Sequence, residues 1–411
     1  MPKKINLLFV SIAFPPKSDP ECLQTAKYFK YLVRDQGFEI DVVTSTDDTV
    51  NMPADQSLVR YGKGYRQMIQ AGFFENRYVS FLLRKIHPDI LKYPDSKFRF
   101  YRQWKKVVKR LQNRPDVIYS RSYPLSSTLM AYYLQKHYKV PWVLHLSDPW
   151  TLNPLHDFGK AGRWNASMEK ACFEDAACIA FSSSKTMELY RKKYPDFTEK
   201  FRLSPNVFDP EDKTPQTYKL KDKLTVVYTG GLVGERSPEK LFEAIANMER
   251  ERPEVLRDFD FVFAGALDRK NRALFDREIM GVRHIGSLSF PDALKLQRQA
   301  DMLLVIDSPF HNPEDAQFFP SKLLDYMLMQ RRIIALTDRG SMSWEIIEGQ
   351  LGNCFAHGDT EGLSTALIDA WHAWKRKDES YFMLDSPDDM YAADYNVERL
   401  GQIFREVAGE K

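Results

Sequence analysis

The chain has 411 residues, a length that favours two domains over one. A hydrophobic share of 43% and a charged share of 28% are ordinary for a soluble globular protein and exclude a disordered or collagen-like chain. No apolar run reaches the roughly 18 residues needed to span a bilayer. The four cysteines, Cys22, Cys172, Cys178 and Cys354, include no CxxC pair, so we expect free thiols in a cytoplasmic protein.

Charge is distributed unevenly along the chain. The formal net charge is +3, yet residues 60–114 hold fifteen Lys or Arg against three acids. This stretch therefore carries +12 and the remainder of the chain −9. Within it, Phe100, Trp104, Val107 or its neighbour, and Leu111 recur at helical spacing, which predicts a basic amphipathic helix.

Two interpretations of this helix are open, and a third is disfavoured. Its apolar stripe can pack on its own domain while the charges face solvent. Alternatively, it binds an anionic membrane surface or an anionic acceptor. Its candidate contacts are Trp104, Lys105, Lys106, Lys109 and Arg110. No nucleic-acid partner is expected, because nothing in the stretch is similar to a nucleic-acid-binding module.

Short apolar runs rich in Val, Ile and Phe alternate with helical patterns in the first half, as is typical of parallel sheets covered by helices. The predicted strands are 5–13, 39–45, 116–120, 142–147, 178–182 and 201–204. The predicted helices include 21–34, 125–138 and 161–175. The polar stretch 208–223 lacks periodicity and contains two prolines, so it predicts a linker.

The same alternation restarts after the linker. The predicted strands are 224–230, 260–265, 283–286, 302–307, 332–337 and 353–356. The predicted helices include 238–250, 292–299, 322–330, 360–375 and a final amphipathic segment, 396–407. The predicted fold class is therefore α/β, with two doubly wound Rossmann-like domains that bind ligands at the carboxyl ends of their strands.

Two positions in the second half combine a helix start with a cation. Pro320-Ser321 precedes a helix that begins near Lys322, and Gly230-Gly231 ends a strand shortly before Arg236. Each can be an ordinary helix start or turn. Free backbone N–H groups at a helix start also bind phosphate, and glycines let a backbone approach a ligand. Two such positions in one domain favour a nucleotide diphosphate, although no GxGxxG pattern is present.

Several blocks in a fixed order carry a resemblance to a known family. The blocks are Phe14-Pro15-Pro16, residues 37–44, residues 115–120, Ser147-Asp148-Pro149-Trp150, residues 181–184, residues 204–209, residues 228–232 and residues 320–327. Together they resemble a retaining glycosyltransferase of the GT-B fold, most similar to glycosyltransferase family four. That fold implies two Rossmann-like domains that face each other across a cleft.

The resemblance also implies a domain organisation. Residues 1–207 resemble the acceptor-side domain, in which 60–114 is a basic aromatic insertion, and 208–223 is the linker. Residues 224–385 resemble the nucleotide-sugar donor domain. The helix in 386–411 is expected to pack back on the first domain.

The resemblance assigns roles residue by residue. It implies catalytic positions at Arg121, His145 and Asp148. It implies donor-binding positions at Gly230, Gly231, Arg236, Gln317, Phe318, Phe319, Ser321, Lys322 and Asp325. Among these, Arg236 and Lys322 contact the diphosphate and Asp325 the ribose. Gln317 and Asp325 replace both glutamates of the family's E-x7-E pattern.

The function implied is transfer of a sugar from a nucleotide diphosphate-sugar to a saccharide or lipid-linked acceptor with retention. It needs no metal and no cofactor besides the nucleotide-sugar substrate, and it fits polysaccharide or glycolipid biosynthesis at the cytoplasmic membrane face. Two alternatives stay open. One is a noncatalytic partner protein of the same fold, and the other is a nucleotide-sugar epimerase.

Overall fold

A computed structural model describes residues 4–35, 37–46, 54–73, 77–213, 218–312, 317–385 and 389–409. The chain divides into two compact units: Met1–Asp209 together with Asp389–Lys411, and Pro210–Asp388. Each unit contains one sheet, and neighbouring strands in both sheets run parallel.

The first unit has a seven-stranded sheet in the order β3-β2-β1-β4-β5-β6-β7. Its strands are β1 (Ile5–Val10), β2 (Phe38–Thr44), β3 (Gln67–Gln70), β4 (Val117–Ser122), β5 (Trp142–Leu146), β6 (Cys178–Phe181) and β7 (Phe201–Leu203). Its first six helices are α1 (Pro20–Leu32), α2 (Arg77–Ile86), α3 (Trp104–Arg110), α4 (Ser126–Tyr138), α5 (Gly162–Asp175) and α6 (Ser184–Lys193). The central strands are apolar on both faces because helices cover both sides of the sheet.

The second unit has a six-stranded sheet in the order β10-β9-β8-β11-β12-β13. Its strands are β8 (Leu224–Thr229), β9 (Phe259–Ala264), β10 (Val282–His284), β11 (Met302–Ile306), β12 (Ile333–Leu336) and β13 (Gly352–Phe355). Its helices are α7 (Glu239–Glu251), α8 (Pro253–Leu256), α9 (Arg269–Phe275), α10 (Phe290–Arg298), α11 (Lys322–Met329), α12 (Met342–Ile347) and α13 (Thr360–Lys375).

The last helix, α14 (Ala393–Ala408), belongs to the first unit and packs on α1. Phe404 on α14 lies edge-on to Tyr119 of β4 and to Phe38 of β2, with ring centroids 5.3 and 5.8 Å apart. An ion pair between Arg405 and Asp35, 2.5 Å long, joins α14 to the loop after α1. One face of the first sheet is therefore covered by the last helix of the chain.

The strand order reverses at one place in each sheet, between β1 and β4 and between β8 and β11. Loops from such neighbouring strands leave in opposite directions, so a crevice opens at their carboxyl ends, where ligands bind in doubly wound folds. The two sites described below lie at these two points.

Part of the basic stretch 60–114 belongs to the sheet rather than to an insertion beside it. Residues 67–70 form the edge strand β3, which pairs with β2. The predicted amphipathic helix is shorter than its pattern, because 101–103 form a 3₁₀ turn before α3. Phe100 and Val107 are buried in the first unit's own core, so the interpretation that the apolar stripe packs on its own domain describes this helix.

Candidate functional site

The first candidate site lies at the carboxyl ends of β1, β4 and β5 and centres on Arg121, near the end of β4. Its side chain is fully buried and forms an ion pair with Glu21 at 2.8 Å. Its guanidinium donates to Asn206 Oδ1 at 2.8 Å and lies 4.9 Å from the centre of the Tyr28 ring. Its Nη1 is 3.2 Å from each ring nitrogen of His145. The charge of this predicted catalytic residue is therefore compensated by the fold itself.

His145 on β5 is equally enclosed. Its Nδ1 lies 2.8 Å from the Tyr119 hydroxyl and its Nε2 lies 3.1 Å from Ser182 Oγ. Burial, together with the nearby Arg121 guanidinium, lowers the pKa of His145 well below its ordinary value. The ring is therefore neutral at physiological pH, and both nitrogens already have partners within the first unit. The catalytic role of His145 stays a prediction, whereas its contacts with Tyr119, Arg121 and Ser182 show that it packs in the interior of the first unit.

Two carboxyl groups share the neighbourhood of Arg121. Burial raises the pKa of Glu21 to about 8, although Arg121 and a hydrogen bond of 2.7 Å from Ser147 Oγ both favour the ionised form. Burial likewise raises the pKa of Asp148, to about 6, and Arg121 opposes the shift. One guanidinium thus serves two desolvated carboxyls, and such perturbed pairs are typical of functional sites.

Glu21 was not among the predicted site residues. It is the second residue of α1, and Asp19 caps that helix by accepting hydrogen bonds from the amides of Glu21 and Cys22. The sequence signal was available, because an acid in the first turn after a strand points to the carboxyl end of the sheet. Its partner Arg121 is a hundred residues later in the chain, which sequence spacing does not reveal.

The second candidate site lies at the carboxyl end of β8 and the start of α11. Gly230 has φ of +134°, a conformation that favours glycine, and a Cβ added there would lie 2.9 Å from Lys322 Nζ. By contrast, a Cβ at Gly231 would meet nothing closer than 3.8 Å. Of the predicted glycine pair, only Gly230 must be glycine, because of both its backbone conformation and the space around it.

Lys322, the first residue of α11, directs its ammonium group towards β8. Its Nζ donates to the Tyr228 hydroxyl at 2.7 Å and lies 4.0 Å from the centre of that ring. Burial lowers the pKa of Lys322 well below its ordinary value; Arg236 adds to this lowering and Asp307 opposes it. Lys322 is thus held by a phenol rather than by a carboxylate.

Arg236 is half-buried beside Lys322, and its Nε is buried without a hydrogen-bond partner. Among the described residues, neither Arg236 nor Lys322 forms an ion pair with a carboxylate within 4 Å. Two cations that repel each other with so little compensation create a positive potential at the start of α11. An anion placed there would relieve the repulsion and satisfy the unpaired N–H.

The other predicted donor-binding residues surround this position to different degrees. The backbone of Ser321 is already helical, and its hydroxyl makes no capping hydrogen bond, so Ser321 does not cap α11 as expected. Gln317 and Asp325 are buried, and Phe318 and Phe319 are half-buried. Their contacts with a ribose or sugar stay predictions. Residues 313–316 of the same loop lie outside the described part of the chain.

The predicted acceptor or membrane residues on α3 do not form one free face. Trp104 is half-buried and stacks on Tyr133 of α4 with ring centroids 6.0 Å apart. Arg110 donates to the backbone carbonyl of Gln70 on β3 at 3.1 Å. The three lysines of the set, Lys105, Lys106 and Lys109, are exposed. As a membrane anchor, α3 lacks an exposed apolar side.

Comparisons with known proteins bear on both units. Residues 25–206 match the family model described as a glycosyl transferase 4-like domain. No curated protein has a matching sequence. The solved structures that resemble the chain include sucrose-phosphate synthase from Thermosynechococcus elongatus (15% identity, 99% of this chain and 100% of that one, TM-score 0.65). They also include Anabaena HepE in complex with UDP and glucose (13%, 98% and 100%, TM-score 0.65).

The chain has the GT-B fold and resembles glycosyltransferase family four. The prediction of two Rossmann-like sheets in this fold is confirmed. A putative UDP-N-acetylglucosamine 2-epimerase from Listeria monocytogenes has the same fold as this GT-B protein (14% identity, 99% and 98% of the two chains, TM-score 0.62). The fold alone therefore does not separate a transferase from an epimerase, whereas the match of residues 25–206 favours a transferase.

Two further findings concern membranes and metals. No helix among the described residues is long and apolar enough to cross a bilayer. The same residues contain no group of three or more His, Cys, Asp or Glu side chains arranged to hold a metal ion.

Proposed function

We propose that the protein is a glycosyltransferase that moves a sugar from a nucleotide diphosphate-sugar to a saccharide or lipid-linked acceptor, with retention and without a metal. The observation that carries the proposal is the pair Lys322 and Arg236, two cations with no carboxylate partner among the described residues, beside the start of α11. The match of residues 25–206 to a glycosyl transferase 4-like domain supports the reaction class.

The chemistry follows from where negative charge develops. When the bond between the sugar and the diphosphate breaks, the leaving diphosphate gains charge, and cations already in place stabilise it without reorganisation. Lys322 and Arg236 are in that arrangement, and the N-terminal dipole of α11 adds to their field. A bound phosphate also favours the charged form of Lys322, whose pKa is lowered in its absence. In the retaining route that we propose, the acceptor attacks on the leaving-group face and the diphosphate accepts its proton.

UDP-sugars are the first donors to test, because the HepE structure holds UDP and glucose. The acceptor side is proposed to lie in the first unit, in polysaccharide or glycolipid biosynthesis. The pair of desolvated carboxyls beside Arg121, Glu21 and Asp148, provides groups that can accept hydrogen bonds from an acceptor hydroxyl.

The test is a thermal-shift series with UDP, GDP, ADP, CDP, dTDP and NADH, each with and without magnesium. A diphosphate at a hundred times its Kd stabilises by about 2.7 kcal/mol, which is visible as a higher melting temperature. One diphosphate that acts equally well without magnesium supports the proposal. No response to any diphosphate supports the noncatalytic partner, and a response to NADH alone contradicts the nucleotide-sugar site.

The nucleotide-sugar that binds then separates the two enzymatic alternatives. A transferase releases the nucleoside diphosphate when an acceptor, or slowly water, takes the sugar. An epimerase returns an intact nucleotide-sugar with one inverted centre. Chromatography of the nucleotide products, with proton NMR of the sugar, distinguishes these outcomes.

We propose that α2, rather than α3, is the helix that contacts a membrane. Four large apolar side chains of α2, Tyr78, Phe81, Leu82 and Ile86, are 57% to 81% exposed and recur at helical spacing. Arg84 and Lys85 are exposed in its last turn. An exposed apolar face bordered by cations is typical of helices that lie on anionic bilayers.

Cosedimentation with phosphatidylcholine vesicles that contain phosphatidylglycerol tests this assignment. The double substitution Phe81→Ser and Ile86→Ser should weaken the binding, because these side chains supply the buried apolar area. Leu155→Ser, at an equally exposed position outside α2, is the matched control. Equal sedimentation of all three proteins contradicts a membrane role of α2.

A further inference from the structure

An aromatic trough lies on the first unit. Its volume is about 520 Å³. Six aromatic side chains line it: Tyr93, Phe98, Tyr101, Trp104, Tyr133 and Trp164. Only Ile90 and Arg102 complete the described lining. The trough therefore has an aromatic wall, in which three side chains carry hydroxyl groups, and one cation.

Hydrogen bonds outside the trough fix its walls in place. Asn165 on α5 donates to the carbonyl of Lys92 at 2.8 Å and so holds the loop that carries Tyr93. Asp95 accepts hydrogen bonds from the amide and the hydroxyl of Ser126, at 2.8 and 2.6 Å, at the start of α4. A pocket whose walls are set before a ligand arrives loses little conformational freedom on binding.

The lining indicates the chemistry of the occupant. A saccharide presents many hydroxyl groups, which are usually met by carboxylates and amides; the described lining of the trough contains neither. Six aromatic rings and an isoleucine instead match an apolar body, since burial of hydrocarbon is favourable and non-directional. Arg102 at the edge matches an anionic group attached to that body.

A second cavity of about 670 Å³ continues on the other side of Phe98 and Arg102, which line both spaces. Arg99 and Leu83 also line this second cavity. Arg99 and Arg102 are exposed, and neither forms an ion pair within the described chain. Leu83 is a residue of α2, so the cations lie between the aromatic trough and the helix whose outer face is apolar.

We propose that the trough binds the hydrocarbon chain of a lipid-linked acceptor, and that Arg99 and Arg102 bind the phosphate that joins the chain to its head group. This rests on the proposed transferase function, since it names the acceptor class as an anionic amphiphile. The charge complementarity of the two arginines and the aromatic lining without a carboxylate or an amide support this occupant over a free saccharide.

Binding of decyl phosphate to the full chain, below the micellar concentration of the amphiphile, tests the proposal by intrinsic tryptophan fluorescence. We expect saturable binding that is roughly ten-fold tighter than that of octyl phosphate, because each buried methylene adds to affinity. Butyl phosphate, with the same head group, should bind far more weakly. No nucleotide is present, so failure here leaves the donor site in the second unit untouched.

Two variants separate the chain from the phosphate. Arg102→Gln should weaken decyl phosphate about ten-fold and change the binding of the neutral decyl maltoside much less, because the variant removes a charge-assisted contact besides the stacking of the guanidinium on Phe98. Trp164→Ala should weaken both amphiphiles, since it removes part of the apolar wall. Arg163→Gln, at an exposed arginine next to Trp164 on α5, is the matched control for charge.

Three results would overturn the proposal. The first is that binding of decyl phosphate does not saturate, and the second is that decyl phosphate binds equally well to the parent and to both variants. The third is that maltotriose changes the tryptophan fluorescence and competes with decyl phosphate, which would make the trough a carbohydrate site. Because Arg102 is exposed, its substitution keeps the fold intact even if Trp164→Ala does not.

Discussion

The two units each place a cation at the point where the strand order of their sheet reverses, and the two cations differ in how they are compensated. Arg121 in the first unit contacts Glu21, Asn206 and the rings of Tyr28 and His145. Lys322 in the second unit donates to one phenol and has a second cation, Arg236, nearby; Asp307 opposes the effect of Arg236 on the pKa of Lys322 but forms no ion pair with Lys322. The same fold position thus carries one closed charge cluster and one open one.

The difference separates stability from ligand binding. A buried cation with a carboxylate partner is compensated within the fold, and removal of one partner leaves an uncompensated charge. A cation without a carboxylate destabilises the unliganded protein and becomes favourable only when an anion binds. The open cluster is therefore the better position for a diphosphate.

The largest effect is expected at the closed cluster. Above pH 8, where Glu21 is ionised, Arg121→Gln leaves this largely buried carboxylate without its ion-pair partner, so we expect the free energy of unfolding of the first unit to fall by about 3–5 kcal/mol. Urea unfolding measures this, with the exposed Arg163→Gln as control. If the variant keeps its stability and loses only turnover, Arg121 is a catalytic residue, and the assignment of the closed cluster to stability is wrong.

The second effect concerns the open cluster. Lys322→Ala and Arg236→Ala should each weaken diphosphate binding by about 10- to 100-fold, since each removes a charge-assisted contact worth about 1.5–3 kcal/mol. Isothermal titration with the diphosphate found by thermal shift measures the loss. Lys240→Ala, at an exposed lysine paired with Glu243, should bind like the parent. Undiminished affinity in both variants refutes the assignment of this site.

A smaller effect is expected at the glycine pair. Gly230→Ala places a Cβ against Lys322 Nζ and forces φ of +134° on alanine, at a cost of about 1–3 kcal/mol. Gly231→Ala, where the nearest atom is 3.8 Å away, should change neither melting temperature nor diphosphate affinity measurably. Similar behaviour of the two variants would mean that the turn after β8 is not built as described.

The last effect is a dependence on pH in the closed cluster, where Arg121, Ser147, Asp148 and Asp19 surround Glu21. The pKa of Glu21 is raised from 4.5 to about 8, so the folded state binds more protons between these values and stability falls as pH rises through them. The free energy of unfolding then decreases by at most about 1.4 kcal/mol for each pH unit in this range.

Glu21→Gln removes this slope, so calorimetry should show the melting temperature of the variant gaining on that of the parent from about pH 5 to about pH 8. The exposed Glu174→Gln should follow the parent throughout. A constant difference between Glu21→Gln and the parent would show that Glu21 is ionised across the range.

The strands of both sheets were predictable because buried parallel strands are continuous apolar runs, and their order along the chain matches the structure. The edge strand β3, with the sequence Gln-Met-Ile-Gln, was not predicted, since half of it is polar. Neither was α2, because its large apolar side chains Phe81, Leu82 and Ile86 are exposed rather than part of a core.

The candidate site was predictable in its residue types and less so in its contacts. Lys322 and Arg236 were expected at one diphosphate because each accompanies a helix start in the same domain and because the family resemblance assigns both to that group. For Arg121, the sequence located the residue at the end of β4 but not its partners Glu21 and Asn206, which are distant in the chain. Such long-range charge compensation depends on three-dimensional packing rather than on local pattern.

The return of the chain to its first unit has a consequence for biosynthesis. The second unit, Pro210–Asp388, is inserted into the first, and α14 with Val397 and Phe404 completes the apolar layer over β1, β2 and β4. While the ribosome is making the second unit, that face of the first sheet still lacks its cover. The domain that begins first is therefore finished last, and the nascent chain exposes this layer until α14 emerges.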